Sequence, residues 1–378
     1  MRLLLNKDLA QQQNKLHERD MLVISSRADV AEHLAQHIGQ AGMGHVKVLE
    51  TDFLSAPVLT LAENLQGVLI DIGGCTDVDQ VVNQVKGRIP QQCWCILFGD
   101  SDSISVAQGF VERGMRYFHV GSQLAEITAR VLSGPGQEIS TRKSLLITLL
   151  GCKGGAGSSL LSWQLAQSIV RYRKLPLLLL QGNLGSQDID IMLGKKIDQG
   201  ITSHQEYIDV MLSESLLPPE SDAPDMQKYN FLIFDQALFS TTKEVMQQQA
   251  EHSHCIILVL DRTAASARVA LNFINIFERI ADNGSQGRRL FICVNDSRPV
   301  TSDSLSLSDM QSLLGRPITV SFPYLKEGSQ ALLEHKLWRG DKKPLEKLTR
   351  LILGMGERRQ GSSLRRSLSL HSLSRHFR

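Results

Sequence analysis

Leu145-Leu146-Ile147-Thr148-Leu149-Leu150-Gly151-Cys152-Lys153-Gly154-Gly155-Ala156-Gly157-Ser158-Ser159 carries a solid apolar run into a glycine cluster, and an apolar-periodic segment from Leu160 to Val170 leaves it. The pattern predicts a buried strand, a tight loop and a helix, in that order. Glycines at such a junction let backbone N–H groups turn inward at a helix start, where the macrodipole already favours anions. Read physically, the stretch is a phosphate cradle.

The P-loop pattern G-x-x-x-x-G-K-[ST] fits this stretch in part. Cys152 stands at its first Gly, Ser158 at its Lys, and Ser159 at the hydroxyl that meets Mg²⁺. Lys153-Gly154-Gly155-Ala156-Gly157, with a Lys ahead of the glycines, resembles the deviant Walker A motif of the MinD/ParA ATPases. That resemblance implies ATP and Mg²⁺ as ligands, held by Lys153, Gly154, Gly155, Ala156, Gly157, Ser158 and Ser159. It also implies a homodimer in which Lys153 reaches the nucleotide of the partner subunit. Ser158 departs from the family's second Lys. The plainer alternative is an ordinary strand–helix turn that needs glycines.

Composition narrows the class. The chain has 378 residues, enough for two domains, with 42% apolar and 21% charged residues. A formal net charge of +2 creates no global field for nucleic acid. No apolar run reaches transmembrane length, and residues 1–8 hold no signal-peptide core, so a cytoplasmic protein is expected. The six cysteines are scattered, and Cys93-Trp94-Cys95 is not a C-x-x-C pair; buried reduced thiols are expected.

Residues 1–20 are polar and Gln-rich and read as a loose leader. From Met21 to Leu132 strands and helices alternate. Strands are expected at 21–25, 45–49, 67–72, 93–98 and 115–120, with helices at 30–41, 78–85, 104–113 and 124–132. Five such repeats predict a doubly wound, flavodoxin-like parallel sheet over residues 21–133. The order resembles a response-regulator receiver. Asp71 falls where the phospho-accepting Asp sits, but Ser25-Ser26 replaces the acidic pair that binds Mg²⁺, and His119-Val120-Gly121-Ser122 lacks the receiver Lys. Without metal-binding acids nothing neutralises a phosphoryl group in transfer. Asp71 therefore reads as a structural residue in a pseudo-receiver used for docking. Residues 134–138 read as a linker.

The second α/β unit, a MinD/ParA-like P-loop domain with a parallel sheet, is expected over residues 139–353. A buried strand at 175–180 ends in Gln181-Gly182-Asn183, where the resemblance places a D-x-D pattern whose first Asp activates water. Neither amide can take a proton as a carboxylate does. Asp188 and Asp190 follow, and match the continuation in the pilus-assembly branch. Residues 194–225 are expected to pass over the surface. Tyr229 to Asp235 is a strand of Walker B form; Asp235 either reaches Mg²⁺ through water or caps the next segment. Strands at 254–260, 288–295 and 318–324 and helices at 264–281 and 305–314 follow, and Asp341-Lys342-Lys343-Pro344 precedes a final helix to about Leu353. The resemblance assigns Asn295 to the adenine.

The tail from Gly354 interleaves arginines with serines. It reads as disordered, or as a basic amphipathic helix with weak contact to anionic lipid. His33 and His37 have metal-compatible i, i+4 spacing but no third ligand, and read as solvated imidazoles. A degenerate receiver followed by a MinD/ParA-like domain resembles the TadZ/CpaE family of tight-adherence (Flp) pilus proteins. That resemblance implies a cytoplasmic homodimer at the cell pole or inner-membrane face. It would recruit the pilus secretion ATPase and inner-membrane platform and bind no specific nucleic acid. Ser158, Gln181 and Asn183 together predict a pseudo-ATPase with weak or absent hydrolysis. The alternative is an active ParA/MinD-type ATPase that positions DNA or protein.

Overall fold

The computed structural model describes residues 20–43, 46–56, 59, 61, 65–134, 142–185, 187–197, 200–220, 223–282, 288–324 and 342–355. The leader, the linker beyond Gly134 and the tail beyond Met355, on which the expectations above fell, lie outside them.

In the N-terminal unit, β1 (Asp20–Ser25), α1 (Ala28–Gln40), β2 (Val46–Glu50), β3 (Leu65–Asp71), α2 (Val78–Lys86), β4 (Trp94–Gly99), α3 (Ile104–Glu112), β5 (Arg116–His119) and α4 (Leu124–Ser133) alternate. The strands pair in parallel in the order β2-β1-β3-β4-β5, the flavodoxin-like order. Strand alternation splits the core in two. Met21 and Val23 face Ala31, Leu34 and Ile38 of α1. Leu22 and Ile24 face the side covered by Val81, Val82 and Val85 of α2 and by Val106 and Phe110 of α3.

The C-terminal unit runs β6 (Leu145–Gly151), α5 (Ser158–Arg173), β7 (Leu177–Gln181), α6 (Ile189–Leu193), β8 (Thr202–Gln205), β9 (Ile208–Leu212), β10 (Phe231–Ala237), α7 (Lys243–His252), β11 (Cys255–Leu260), α8 (Ala264–Asp282), β12 (Arg289–Asn295), α9 (Leu307–Leu314), β13 (Val320–Phe322) and α10 (Lys343–Ile352). Its sheet has the order β13-β12-β11-β6-β10-β7-β9-β8. All pairs are parallel except β8 with β9. The central strands β6, β7, β10 and β11 are buried on both faces, which is why they read as solid apolar runs.

Two elements depart from expectation. Residues 194–225 hold a hairpin that extends the sheet, with β9 docked along β7. Its buried residues, Ile208 and Val210, are too few to stand out among the surrounding polar positions. Helix α7, Lys-Glu-Val-Met-Gln-Gln-Gln-Ala-Glu-His, was not anticipated, because it buries only Met246, Gln249 and Ala250 and so carries little apolar periodicity.

The two units meet through polar backbone contacts at the amino-terminal edge of the second sheet. Arg142 donates to the carbonyls of Ile89, Pro90, Gln91 and Cys93. Asn230 donates to Lys86 O (2.9 Å) and Ile89 O (2.7 Å). His254 lies at the same junction, and its imidazole is pushed down to about 3 by burial and by Lys86, Arg288, Arg289 and Lys143. The ring is therefore neutral. Leu146 N–H donates to its Nδ1 at 3.3 Å, so Nε2 carries the ring proton. Nε2 sits 3.4 Å from Lys86 Nζ. Two donors face each other there unless the amine has lost its own proton.

That contact predicts a pH dependence. Burial, helped by Lys143, Arg113 and Arg142 and opposed by Asp79, lowers Lys86 from 10.5 to about 8. The folded pKa is depressed, so the unfolded chain binds the extra proton and stability rises from about pH 8 toward 10.5. The full difference is on the order of 3 kcal/mol. Buried thiols, Cys93 and Cys255 among them, have pKa values raised by burial and pull stability down above about pH 9 in any variant. The expected result is therefore relative: the urea midpoint of the native protein should rise against that of Lys86→Met between about pH 8 and 10. Equal slopes in both proteins would place the titration elsewhere.

Candidate functional site

The cradle sits at the carboxyl ends of β6, β7, β10 and β11, where the chain turns from one side of β6 to the other. Cys152 N–H donates to Val259 O and Leu238 N–H to Gly151 O, which fix the loop's entry to the neighbouring strands. Gly155 has φ +75° and Gly157 φ +82°, a region where a side chain is strained. Gly157 is the N-cap of α5, and a Cβ there would lie 2.4 Å from Asn295 Nδ2.

Asn295, assigned by resemblance to the adenine, spends one amide N–H on the loop itself. It donates to Ala156 O at 2.7 Å and clamps the loop backbone from β12. Its neighbour Asp296 is held bidentately by Arg262 at 2.7 and 2.9 Å.

Lys153 likewise has a partner within its own chain. Its ammonium donates to Asp261 Oδ2 at 2.8 Å and Thr263 Oγ1 at 3.4 Å. Thr263 in turn donates to Asp261 Oδ1 at 2.6 Å. Burial acts to raise the Asp261 pKa, but the hydrogen bonds from Lys153 and Thr263 outweigh it and hold the carboxylate below its usual range. Asp261, Arg262, Asp296 and Thr263 had no role in the sequence reading. The available signal was position: an acid at the carboxyl end of a parallel strand faces the edge that carries the loop.

Ser159 and Asp235 come together on the cradle's inner wall. Asp235 is 4% exposed, and its Oδ1 has no hydrogen-bond partner. Burial pushes its carboxyl up to about 6, against the nearby hydroxyls of Ser159 and Ser158 and the Gln181 amide. Gln181 Nε2 bridges Ser159 Oγ (3.2 Å) and Asp188 Oδ1 (3.1 Å), and its Oε1 accepts from Ile189 N–H (3.0 Å). Asn183 points away, donating to Glu214 O at 2.6 Å. Gln236 Oε1 accepts from Leu184 N–H (3.0 Å) and Ala237 N–H (3.1 Å), tying the loop after β7 to β10.

An unpartnered, buried carboxylate oxygen beside a serine hydroxyl is a donor set that suits hydrated Mg²⁺. A Cβ added at Gly155 would meet nothing within 4 Å, which leaves that backbone open to a phosphate. The residues present therefore fit Mg²⁺ and a phosphate chain. Ser159 and Asp235 would hold the metal, which would neutralise phosphate charge.

The N-terminal unit has its own acidic centre, which is filled by the chain itself. Asp71 accepts from Ser25 Oγ (2.5 Å), from Arg27 Nε (2.8 Å) and Nη2 (2.7 Å), and from Gly73 N–H (2.8 Å). Arg27 Nη1 also donates to Asp100 at 2.7 Å. These carboxylates, Asp71 first, hold the guanidinium's pKa above its ordinary value despite partial burial. Arg27 was not singled out from the sequence. Its ion pairs set a fixed cation between the Asp71 and Asp100 carboxylates.

His33 and His37 stack edge-to-face at 6.0 Å, and no group of three metal-ligating side chains occurs among the described residues. No described helix is long and apolar enough to cross a membrane. No protein-family model and no curated protein matches the chain. Solved structures do resemble it. A ParA-family ATPase from Chlorobium tepidum is 17% identical with a TM-score of 0.40, over 56% of this chain and 98% of that one. MinD in the Aquifex aeolicus MinC:MinD complex is 13% identical with a TM-score of 0.45, over 57% and 98%. The septum site-determining protein MinD with Mg-ADP from Pyrococcus horikoshii is 13% identical with a TM-score of 0.42, over 55% and 96%. Likeness at this level carries nothing about activity, which has to be argued from the site.

Proposed function

We propose that this chain is a homodimeric scaffold of the MinD/ParA type that takes Mg²⁺ and nucleotide but hydrolyses ATP weakly or not at all. It would serve as a TadZ/CpaE-like localisation and assembly factor of a tight-adherence pilus. Residues 21–133 would form the docking pseudo-receiver and residues 139–353 the nucleotide domain. Its partners would be the pilus secretion ATPase and inner-membrane platform, at the cell pole or inner-membrane face. The tail from residue 354 would add weak membrane contact, and no specific nucleic acid would bind.

The observation that carries the hydrolysis reading is the cradle's inner wall. Ser158 offers no cation to the β- and γ-phosphates, and the Gln181 amide bridges Ser159 and Asp188, where a proton-accepting carboxylate is needed. Loss of a single preorganised charge-stabilising donor costs roughly 10²–10³ in rate. Steady-state phosphate release should therefore run at least about a hundredfold below that of an active ParA-type protein. Brisk turnover lost in Ser159→Ala or Asp235→Asn would overturn the pseudo-ATPase reading. The pilus assignment has a separate test. Co-purification with a pilus secretion ATPase is the expected result, and its absence would remove that assignment while leaving the scaffold reading intact.

A further inference from the structure

We propose that Arg173, Arg289 and Gln84 form an oxyanion-type pocket across the two units, and that its resident ligand is the carboxyl-terminal turn of α10. The pocket stands at the start of β12, at the opposite edge of the sheet from the glycine loop, and owes nothing to the nucleotide reading.

The turn is held from both sides. In the C-terminal unit, Arg289 donates Nη1 to Leu351 O (2.9 Å) and Nη2 to Ile352 O (2.8 Å). Arg173, the last residue of α5, donates Nη2 to Leu353 O at 3.5 Å. In the N-terminal unit, Gln84 of α2 donates Nε2 to Gly354 O at 3.2 Å. Side chains from three elements thus receive four successive carbonyls that a helix end leaves without partners of its own. Gly354 has φ +64°, and a Cβ there would stand 2.9 Å from Gln84 Nε2. Glycine is what lets the chain turn so closely against α2. Leu353 and Met355, on either side of it, are buried.

The charges are those of an anion site. Neither Arg88, Arg173 nor Arg289 forms an ion pair with a carboxylate among the described residues. Burial and the charge of Arg88 push Arg173 down to about 10. The counter-charge comes from the end of α10, whose last carbonyls carry the negative pole of the helix. That neutralisation is partial. The Nε–H groups of Arg173 and Arg289 are buried without a partner, as is Gln84 Oε1. Gln84 and Arg289 line one small cavity with Asn83, Gly87, Phe231 and Gly354. While the turn is seated, α2 and the C-terminal unit share a ligand. Once it leaves, two guanidinium forks face solvent, and a sulfate or phosphate oxygen suits them as the carbonyls did. The Gln84 amide, freed from Gly354 O, can turn its NH₂ to the same anion.

The test is amide hydrogen exchange over residues 84–93 of the full-length protein, in chloride and in sulfate at equal ionic strength. Gly354→Val forces the turn out and should speed this exchange by about tenfold in chloride. Sulfate should restore most of the protection in Gly354→Val and leave the native protein unchanged. Arg289→Gln should exchange as fast as Gly354→Val and gain nothing from sulfate, because the fork is gone. Gly354→Ala gives the same comparison at lower strain if the valine variant fails to fold. Native protection in the Gly354 variants overturns the proposal, because the turn then has no hold on α2. Fast exchange that sulfate does not slow overturns the anion pocket, and so does an equal sulfate effect in all the proteins, which is general salting-out.

Discussion

Arg142→Met is expected to lower the stability of the whole chain by about 3 kcal/mol and to separate the unfolding of its two units. Arg142 is buried at the entry to β6 and donates to four carbonyls of the segment that follows α2, with Pro90 O at 2.6 Å and Gln91 O at 3.1 Å. Methionine fills a similar volume but donates nothing, so Gln91 O and Cys93 O lose the guanidinium, while Ile89 O keeps Asn230 and Pro90 O keeps Cys93 N–H. Part of that loss is offset, because burial disfavours the Arg142 charge and lowers its pKa. Asn230 still binds Lys86 O and Ile89 O, so the junction should loosen rather than vanish. Urea titration followed by tryptophan fluorescence, with limited proteolysis, gives the readout: one transition in the native protein and two in the variant. Arg142→Lys keeps the charge but not the fork, and should recover only part of the loss. A midpoint unchanged in Arg142→Met would mean that the junction contributes little to either unit.

Arg27→Ala should cost about 2–3 kcal/mol in the N-terminal unit, through what it leaves behind. Asp71 would stay buried with only Ser25 and Gly73 as donors, and Asp100 would lose its cation as well. Asp71→Asn in the same chain removes the stranded charge, so the double variant should lose clearly less than the sum of the single ones. Mg²⁺ supplies an independent check. It should raise the melting temperature of Arg27→Ala by taking the place of the guanidinium between Asp71 and Asp100, and should leave the native N-terminal unit unaffected. Acetyl phosphate should produce no adduct on the native chain by intact mass, since the acceptor oxygens are already engaged. An adduct at Asp71 would return this unit to phosphotransfer signalling.

Much of the fold was legible because its strands are buried on both faces. A run such as Leu177 to Leu180 can be little else once a helix-length segment flanks it. The hairpin β8–β9 and helix α7 escaped because each contributes few apolar side chains and is held by its neighbours. The loop at 151–159 was visible for a different reason: glycine and lysine types report backbone conformation and charge directly. What those side chains touch was not visible. Lys153 and Asp261 lie 108 residues apart, and Arg27 and Asp71 lie 44 apart.

From its order of residues alone, this protein is two parallel α/β units with a glycine-rich loop of phosphate-binding type in which Ser158 follows the last glycine. Local physics suffices for that, since burial periodicity and glycine conformation act within a few residues. Tertiary structure decided the partners: Arg27 on Asp71, Lys153 on Asp261, Asn295 on the loop backbone, and Asp235 left with an empty oxygen. Folding alone brings those groups within reach, and hydrogen-bond and ion-pair energies fall off within a few ångströms, so no spacing along the chain could have selected them.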